Sequence, residues 1–122
     1  CFGTLRGRPQ SLRTYAPLLP HLRDARADVL FLEFANREMA EIELYARHEL
    51  PQALAAGVVD VKSFYRERPE DVAGRLRRVL AHVPIERVWA VPDCGFWETP
   101  RWLAFHKLQA LVQGAVLVRE GR

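Results

Sequence analysis

Two thiols, one buried-looking carboxylate and one lysine stand where a chain of this pattern could do chemistry. Cys94 lies in "PDCG", directly after the apolar run "RVWAV". Glu33 interrupts the apolar stretch "LFLEFAN", and Asp60 and Lys62 follow "GVV" in "DVKS". Cys1 opens the chain. A carboxylate within an apolar strand is expensive to bury unless it is paired or holds a metal. Cysteine and glutamate can both ligate Zn²⁺, and a catalytic zinc keeps one position open for substrate. The separations are 32 residues from Cys1 to Glu33 and 61 from Glu33 to Cys94. They fit no short zinc-finger pattern, but they fit ligands delivered by different strands. On spacing alone two other arrangements stay open. The cysteines can be buried and reduced with Glu33 held by a neighbouring arginine, or they can form a disulfide.

The elements that must position these residues alternate in type. Residues 28–34, 54–61 and 87–92 are apolar runs of strand length, rich in Val and aromatics, as in strands buried on both faces of a parallel sheet. Residues 69–83 place Val72, Leu76, Val79, Leu80 and Val83 on one helical stripe, with Pro69 suited to the first helical position. Residues 99–118 predict a helix with Thr99 as N-cap and a broad apolar face of Trp102, Leu103, Phe105, Leu108, Leu111 and Val112. Residues 37–48 predict a helix with Met39, Ile42 and Ala46 on one side. Residues 11–23 predict another, which Pro17 and Pro20 would break or bend.

The order is helix, strand, helix, strand, helix, strand, helix. Repeated β–α units form right-handed crossovers over a parallel sheet. Four units of roughly 30 residues are about half of a (β/α)₈ barrel of ~250 residues, and a small doubly wound sheet is the alternative. In both architectures functional groups gather at the C-terminal ends of strands. Glu33, Asp60 with Lys62, and Asp93 with Cys94 fall at three such ends. Cys1 would follow a strand that precedes the chain, so the sequence reads as a fragment of a longer protein.

Composition narrows the classes. The 122 residues are 49% hydrophobic and 27% charged, which suits one globular domain. Eighteen basic and fifteen acidic residues give +3, with the two signs intermixed, so no basic tract for nucleic acid stands out. No apolar run approaches the ~18 residues of a membrane helix and no signal peptide is visible, which predicts a cytoplasmic protein. "GTLRGRP" lacks the end of a P-loop, although Arg6 or Arg8 could meet a substrate anion. Arg37 is a candidate for the same contact. Its other reading, with Asn36, is helix capping and surface pairing. His21, His48, His82 and His106 fall in helical segments away from the strand ends.

"CFGTLRGRP", "LEFANREMAEI", "GVVDVKSF" and "VPDCGFWETPRW" together resemble the C-terminal barrel of cobalamin-independent methionine synthase, and more closely its short, single-barrel relatives. The resemblance covers essentially the whole chain and selects the barrel over the open sheet. It implies a partial, C-terminal catalytic barrel domain over residues 1–122. It also implies Zn²⁺ held by Cys1, Glu33 and Cys94, with a histidine ligand two positions ahead of Cys1. The implied reaction moves a methyl group from methyltetrahydrofolate to the thiol of homocysteine. The implied partners are those two small molecules and the N-terminal remainder of the barrel. In "PDCG" the proline would end the strand, Cys94 would point to the metal and Gly95 would let the backbone turn.

There is one departure. The family's D-x-H-S segment is "DVKS" here, with Lys62 in the histidine's place. Lys62, with Asp60, becomes the candidate catalytic pair. The lysine can donate a proton if its pKa is lowered, or bind an anionic group. It can also form a salt bridge with Asp60 or Glu33, and Asp60 can bind substrate or hold Lys62. Relatives alkylate other thiols, coenzyme M among them, so another acceptor, or a non-catalytic metal-binding barrel, is the alternative. The isolated 122 residues are expected to be inactive, and open strand edges to make them aggregate.

Overall fold

The computed structural model describes Phe2 and residues 12–121. The expectations for Cys1, Arg6 and Arg8 concern residues outside that set. Three strands form one parallel sheet in the order β1-β2-β3: β1 Val29–Glu33, β2 Ala53–Val59 and β3 Val88–Pro92. Between and around them lie α1 Leu19–Leu22, α2 Ile42–Arg47, α3 Pro69–Leu80 and α4 Arg101–Arg119. Short 3₁₀ turns occupy Ala35–Arg37 and Ile85–Arg87. The α/β alternation with a parallel sheet is as the sequence predicts.

The sheet has two distinct faces. Leu54, Ala56 and Val58 of β2 are buried in one apolar cluster with Leu76 and Val79 of α3 and Leu111 of α4. Register puts Phe31, Ala55 and Trp89 in one row of the opposite face, because side chains alternate along a strand. Phe31 and Trp89 are 53% and 58% exposed there. Two residues further, on that same face, lies the row Glu33, Gly57, Val91. The candidate site therefore stands at the C-terminal end of the sheet, on the face away from the helices.

Three helices depart from expectation. The segment 11–23 is helical only at Leu19–Leu22, where Pro20 falls in the first turn and the two prolines leave no room for a longer run. The helix expected over 37–48 starts at Ile42, because Glu38, Met39 and Glu41 adopt left-handed conformations with φ of 54°, 62° and 68°. That conformation is uncommon outside glycine. Glu41 is tied down in it: the carboxylate accepts from the Tyr15 backbone N–H at 2.8 Å, the Thr14 hydroxyl and the Arg37 guanidinium. The delayed start rotates the helix, so Tyr45 is buried where Ala46 was expected.

In α4, Thr99 is not the cap. Pro100 precedes the helix and the Thr99 hydroxyl donates to the Val61 carbonyl at 3.4 Å. The buried face is Leu103, Lys107, Ala110, Leu111 and Gly114, whereas Trp102, Phe105, Leu108 and Val112 of the expected face are exposed. Gly114 allows close packing on α3: a Cβ there would lie 2.6 Å from Val72 Cβ and 2.7 Å from the Pro69 carbonyl oxygen. Helix α3 starts where predicted, with Pro69 in the first turn and Asp71 accepting from the Arg68 backbone N–H at 2.8 Å, but it ends at Leu80 and not at Val83. Among the described residues no helix is long and apolar enough to cross a membrane.

Candidate active site at the strand ends

Glu33 is the last residue of β1, and its side chain is fully buried. Its main chain is fixed by one phenol: the Tyr15 hydroxyl accepts from the Glu33 N–H at 2.8 Å and donates to the Glu33 carbonyl at 3.0 Å. Burial pushes the Tyr15 pKa up, which keeps that hydroxyl protonated and able to donate. The Glu33 carboxylate accepts from the Phe2 backbone N–H at 3.1 Å through Oε1. Lys62 Nζ completes its surroundings, at 2.8 Å from Oε2 and 3.2 Å from Oε1. Of the arrangements left open by the sequence, Lys62 pairs with Glu33, and the cation on this carboxylate is a lysine and not an arginine.

Lys62 reaches Glu33 from the loop after β2, and that loop is held from below. Asp60 Oδ1 accepts the Lys62 backbone N–H at 2.8 Å, so Asp60 holds the root of Lys62 and not its ammonium. The Asp60 peptide is gripped on both sides. Its N–H donates to Glu67 Oε1 at 3.0 Å, and its carbonyl accepts from Lys107 Nζ at 2.8 Å. Lys107 also donates to the Tyr65 carbonyl at 2.6 Å and to Glu67 Oε2 at 2.6 Å. Both Lys107 and Glu67 are wholly buried, and Arg75 donates to the Val58 carbonyl at 2.9 Å beside them. A buried ion pair persists only where hydrogen bonds satisfy its remaining atoms, and here backbone groups do so.

Asp93, immediately after β3, reaches across β2. Its Oδ1 accepts from the Phe34 and Ala35 N–H groups at 2.9 Å each, and its Oδ2 from the Asn36 N–H at 2.7 Å. These are the free donors of the 3₁₀ turn that follows Glu33. Burial pushes the Asp93 carboxyl up to about 6, against the pull of those three amides. The crossing needs Gly57. A Cβ there would lie 2.2 Å from Asp93 Oδ1, 2.8 Å from Asp93 Cα and 3.1 Å from Glu33 Cα. The ends of β1 and β3 thus meet over a bare position of β2, bringing Glu33 toward the segment that contains Cys94.

Cys94 is a free, partly buried thiol on that segment. Gly95 does not have the positive φ that a sharp turn would demand, and a Cβ added to it would meet nothing within 4 Å; the left-handed residue there is Glu98, with φ 64°. Arg37 does not reach the rim as an anion contact. It is stacked against the Phe2 and Tyr15 rings, 4.8 and 4.9 Å from their centroids, and bonded to Glu41. Among the described residues no three His, Cys, Asp or Glu side chains group closely enough to hold a metal ion. The expected third protein ligand, Cys1, lies outside them. Glu33 and Cys94 nonetheless supply an oxygen and a sulfur donor of the kinds zinc takes. The buried Glu33 carboxylate requires a cation, and Lys62 supplies one. By donor type, these two residues, Glu33 and Cys94, fit the group.

Gly57, Tyr15, Glu67 and Lys107 are the supporting positions that sequence patterns do not reveal, and for Asp93 they reveal the place but not the reach across β2. Only Lys107, a charge on a helix face otherwise apolar toward the core, leaves a visible trace in the sequence.

Residues 12–116 match the family described as cobalamin-independent synthase, catalytic domain. The chain is 39% identical over 107 residues to a 2-hydroxypropyl-CoM lyase of Xanthobacter autotrophicus, covering 84% of this chain and 28% of that protein. It is 34% identical over 106 residues to a methionine synthase of Saccharolobus islandicus, covering 87% and 32%. Its fold superposes on a B12-independent methionine synthase from Shewanella sp. W3-18-1, solved in complex with selenomethionine, with a TM-score of 0.81. The sequence identity is 28%, over 88% of this chain and 31% of that one. The chain spans about a third of the length of these relatives. With the match extending over nearly all of its described length, the chain belongs to the cobalamin-independent methionine synthase family, within the catalytic domain.

Proposed function

We propose that this chain is the C-terminal part of a (β/α)₈ barrel that transfers a methyl or other alkyl group to a zinc-activated thiol. The supporting observation is the wholly buried Glu33 carboxylate at the strand ends, beside the Asp93-Cys94 segment across Gly57. In this proposal Cys1, Glu33 and Cys94 hold Zn²⁺, with a further ligand outside the chain. Zinc bound there would keep a substrate thiol as its thiolate, which a free thiol of pKa ≈ 8.5 is not at neutral pH.

The chain's own residues do the positioning. Tyr15 fixes the backbone of Glu33 and so aims its carboxylate. Asp93 fixes the turn after Glu33 and, through its own backbone, the start of the segment that presents Cys94. Asp60 fixes the root of Lys62, whose ammonium sits at the rim for proton delivery or for contact with a substrate anion. The remainder of the barrel would cover Phe31 and Trp89 and pair with the free edges that β1 and β3 show among the described residues.

Homocysteine with a methyltetrahydrofolate-type donor is the simplest substrate pair. A short thiol ending in an acidic group, such as coenzyme M, is the second reading. It is favoured by a lysine, 16% exposed at its side chain, at the position where the family's segment has histidine. The test is a transfer assay on the full-length polypeptide with each thiol, before and after chelation. Transfer to one of them, lost on zinc removal and restored by zinc, is the expected result. Transfer that persists undiminished in the thoroughly chelated enzyme overturns the proposal.

A further inference from the structure

The Glu33 carboxylate already has a cation. Lys62 Nζ lies within hydrogen-bond distance of both of its oxygens, 2.8 and 3.2 Å away, and the Phe2 N–H takes a further site on Oε1. A metal ion bound by Glu33 must share that carboxylate with an ammonium group. Two cations a few ångströms apart in a buried site repel strongly, since little water screens them. The two ends of Lys62 differ in freedom. Its backbone is anchored through Asp60 to the buried Glu67–Lys107 pair. Its side chain is a flexible four-carbon stem, partly exposed.

We propose that Lys62 is a built-in counter-ion that competes with zinc for Glu33, so that it sets how tightly the site holds its metal. This inference rests on the zinc reading above. Lys62 neutralises a carboxylate that would otherwise be buried and uncompensated, and its flexible stem would let it withdraw when Glu33 serves as a metal ligand. Removing the ammonium does two things to binding. It removes the repulsion in the metal-bound form, and it destabilises the metal-free form by leaving Glu33 without a counter-charge. Both effects tighten zinc binding. A residue that served only to orient Glu33 as a ligand would have the opposite effect when removed, weakening the metal.

The test is a zinc titration against a chromophoric chelator, using the full-length polypeptide as wild type, Lys62→Met, Lys62→Gln and Lys62→Arg. Lys62→Met and Lys62→Gln should hold zinc about ten- to a hundredfold more tightly than wild type, the range seen for groups that contact metal ligands. Lys62→Arg keeps the charge and should stay near wild type. Melting adds a readout that does not depend on turnover. In chelator Lys62→Met should melt below wild type, and saturating zinc should raise its melting temperature by more than it raises that of wild type. Equal or weaker zinc affinity in both Lys62→Met and Lys62→Gln overturns the inference while leaving zinc in place. Absence of stoichiometric zinc from wild type and all variants overturns the zinc reading as well. If Lys62→Met does not fold, Lys62→Gln, which keeps a donor for Glu33, decides the matter alone.

Discussion

Lys107→Met should destabilise the protein by about 3–5 kcal/mol, the cost of leaving one member of a buried ion pair without the other. Lys107 and Glu67 are both wholly buried, and Lys107 satisfies three acceptors: the Asp60 and Tyr65 carbonyls and Glu67 Oε2. Methionine fills a similar volume but donates to none of them, so the loss comes from polarity and not from a cavity. The partner change separates the two contributions. In Lys107→Met only Arg75, 3.4 Å from Glu67 Oε1, still faces the buried carboxylate. Glu67→Gln in that background removes the charge, and the double variant should recover a large part of the loss. Pairs in direct contact are not additive in this way without a real coupling. Denaturant melts of wild type, Lys107→Met, Glu67→Gln and the double variant give the coupling directly. A Lys107→Met loss below about 1 kcal/mol, the range of a surface ion pair, would show that the pair is not buried as described.

Gly57→Ala should lower stability by about 3 kcal/mol or more and weaken the site at the same time. The added Cβ would sit 2.2 Å from Asp93 Oδ1 and 2.8 Å from Asp93 Cα. A clash with a flexible side-chain tip could be relieved, but the Asp93 main chain is also in the way. That main chain is tied to β2 by the Asp93 N–H, which donates to the Val59 carbonyl at 2.9 Å. Either β3 moves away from β2, or the carboxylate lets go of the Phe34, Ala35 and Asn36 amides. Each buried donor left without a partner costs about 1–3 kcal/mol. The turn after Glu33 would loosen with them, so zinc retention should fall as well as melting temperature. Asp93→Asn keeps the shape and one acceptor, and it should have the smaller effect of the two on melting. A Gly57→Ala protein that melts and binds zinc like wild type would contradict the account of how the strand ends meet.

The strands and α3 were legible because their signals are local. Apolar runs of strand length at 28–34 and 87–92 contain β1 and β3, the run at 54–61 overlaps β2 from Leu54 to Val59, and Pro69 falls in the first turn of α3. The start of α2 was not legible. It depends on left-handed Glu38, Met39 and Glu41, and the last of these is held by partners at Thr14 and Tyr15, more than twenty residues away in sequence. The face of α4 misled for a related reason. Its hydrophobic residues surround the helix, so periodicity could not tell which side faces the core, and the side that does includes a lysine.

The same division runs through the site. Glu33, Asp60, Lys62 and Asp93-Cys94 were visible as polar residues ending apolar strands, and the structure places them at the strand ends. What connects them was not visible. Asp93 reaches amides 57 to 59 positions away, and Lys107 grips a carbonyl 47 positions away. Gly57 matters only because of what crosses above it. Such contacts follow from strand order and register, which no short motif encodes.

The central claim is that the strand ends bind zinc through Cys94 together with Glu33. The most direct test is the metal content of the full-length polypeptide, wild type against Cys94→Ser, purified side by side. The account predicts about one zinc per wild-type chain and loss of it from Cys94→Ser, with the fold retained by circular dichroism. Zinc absent from both, or retained in full by Cys94→Ser, would contradict it and leave Cys94 as a packing residue on a fold that lacks the family's chemistry.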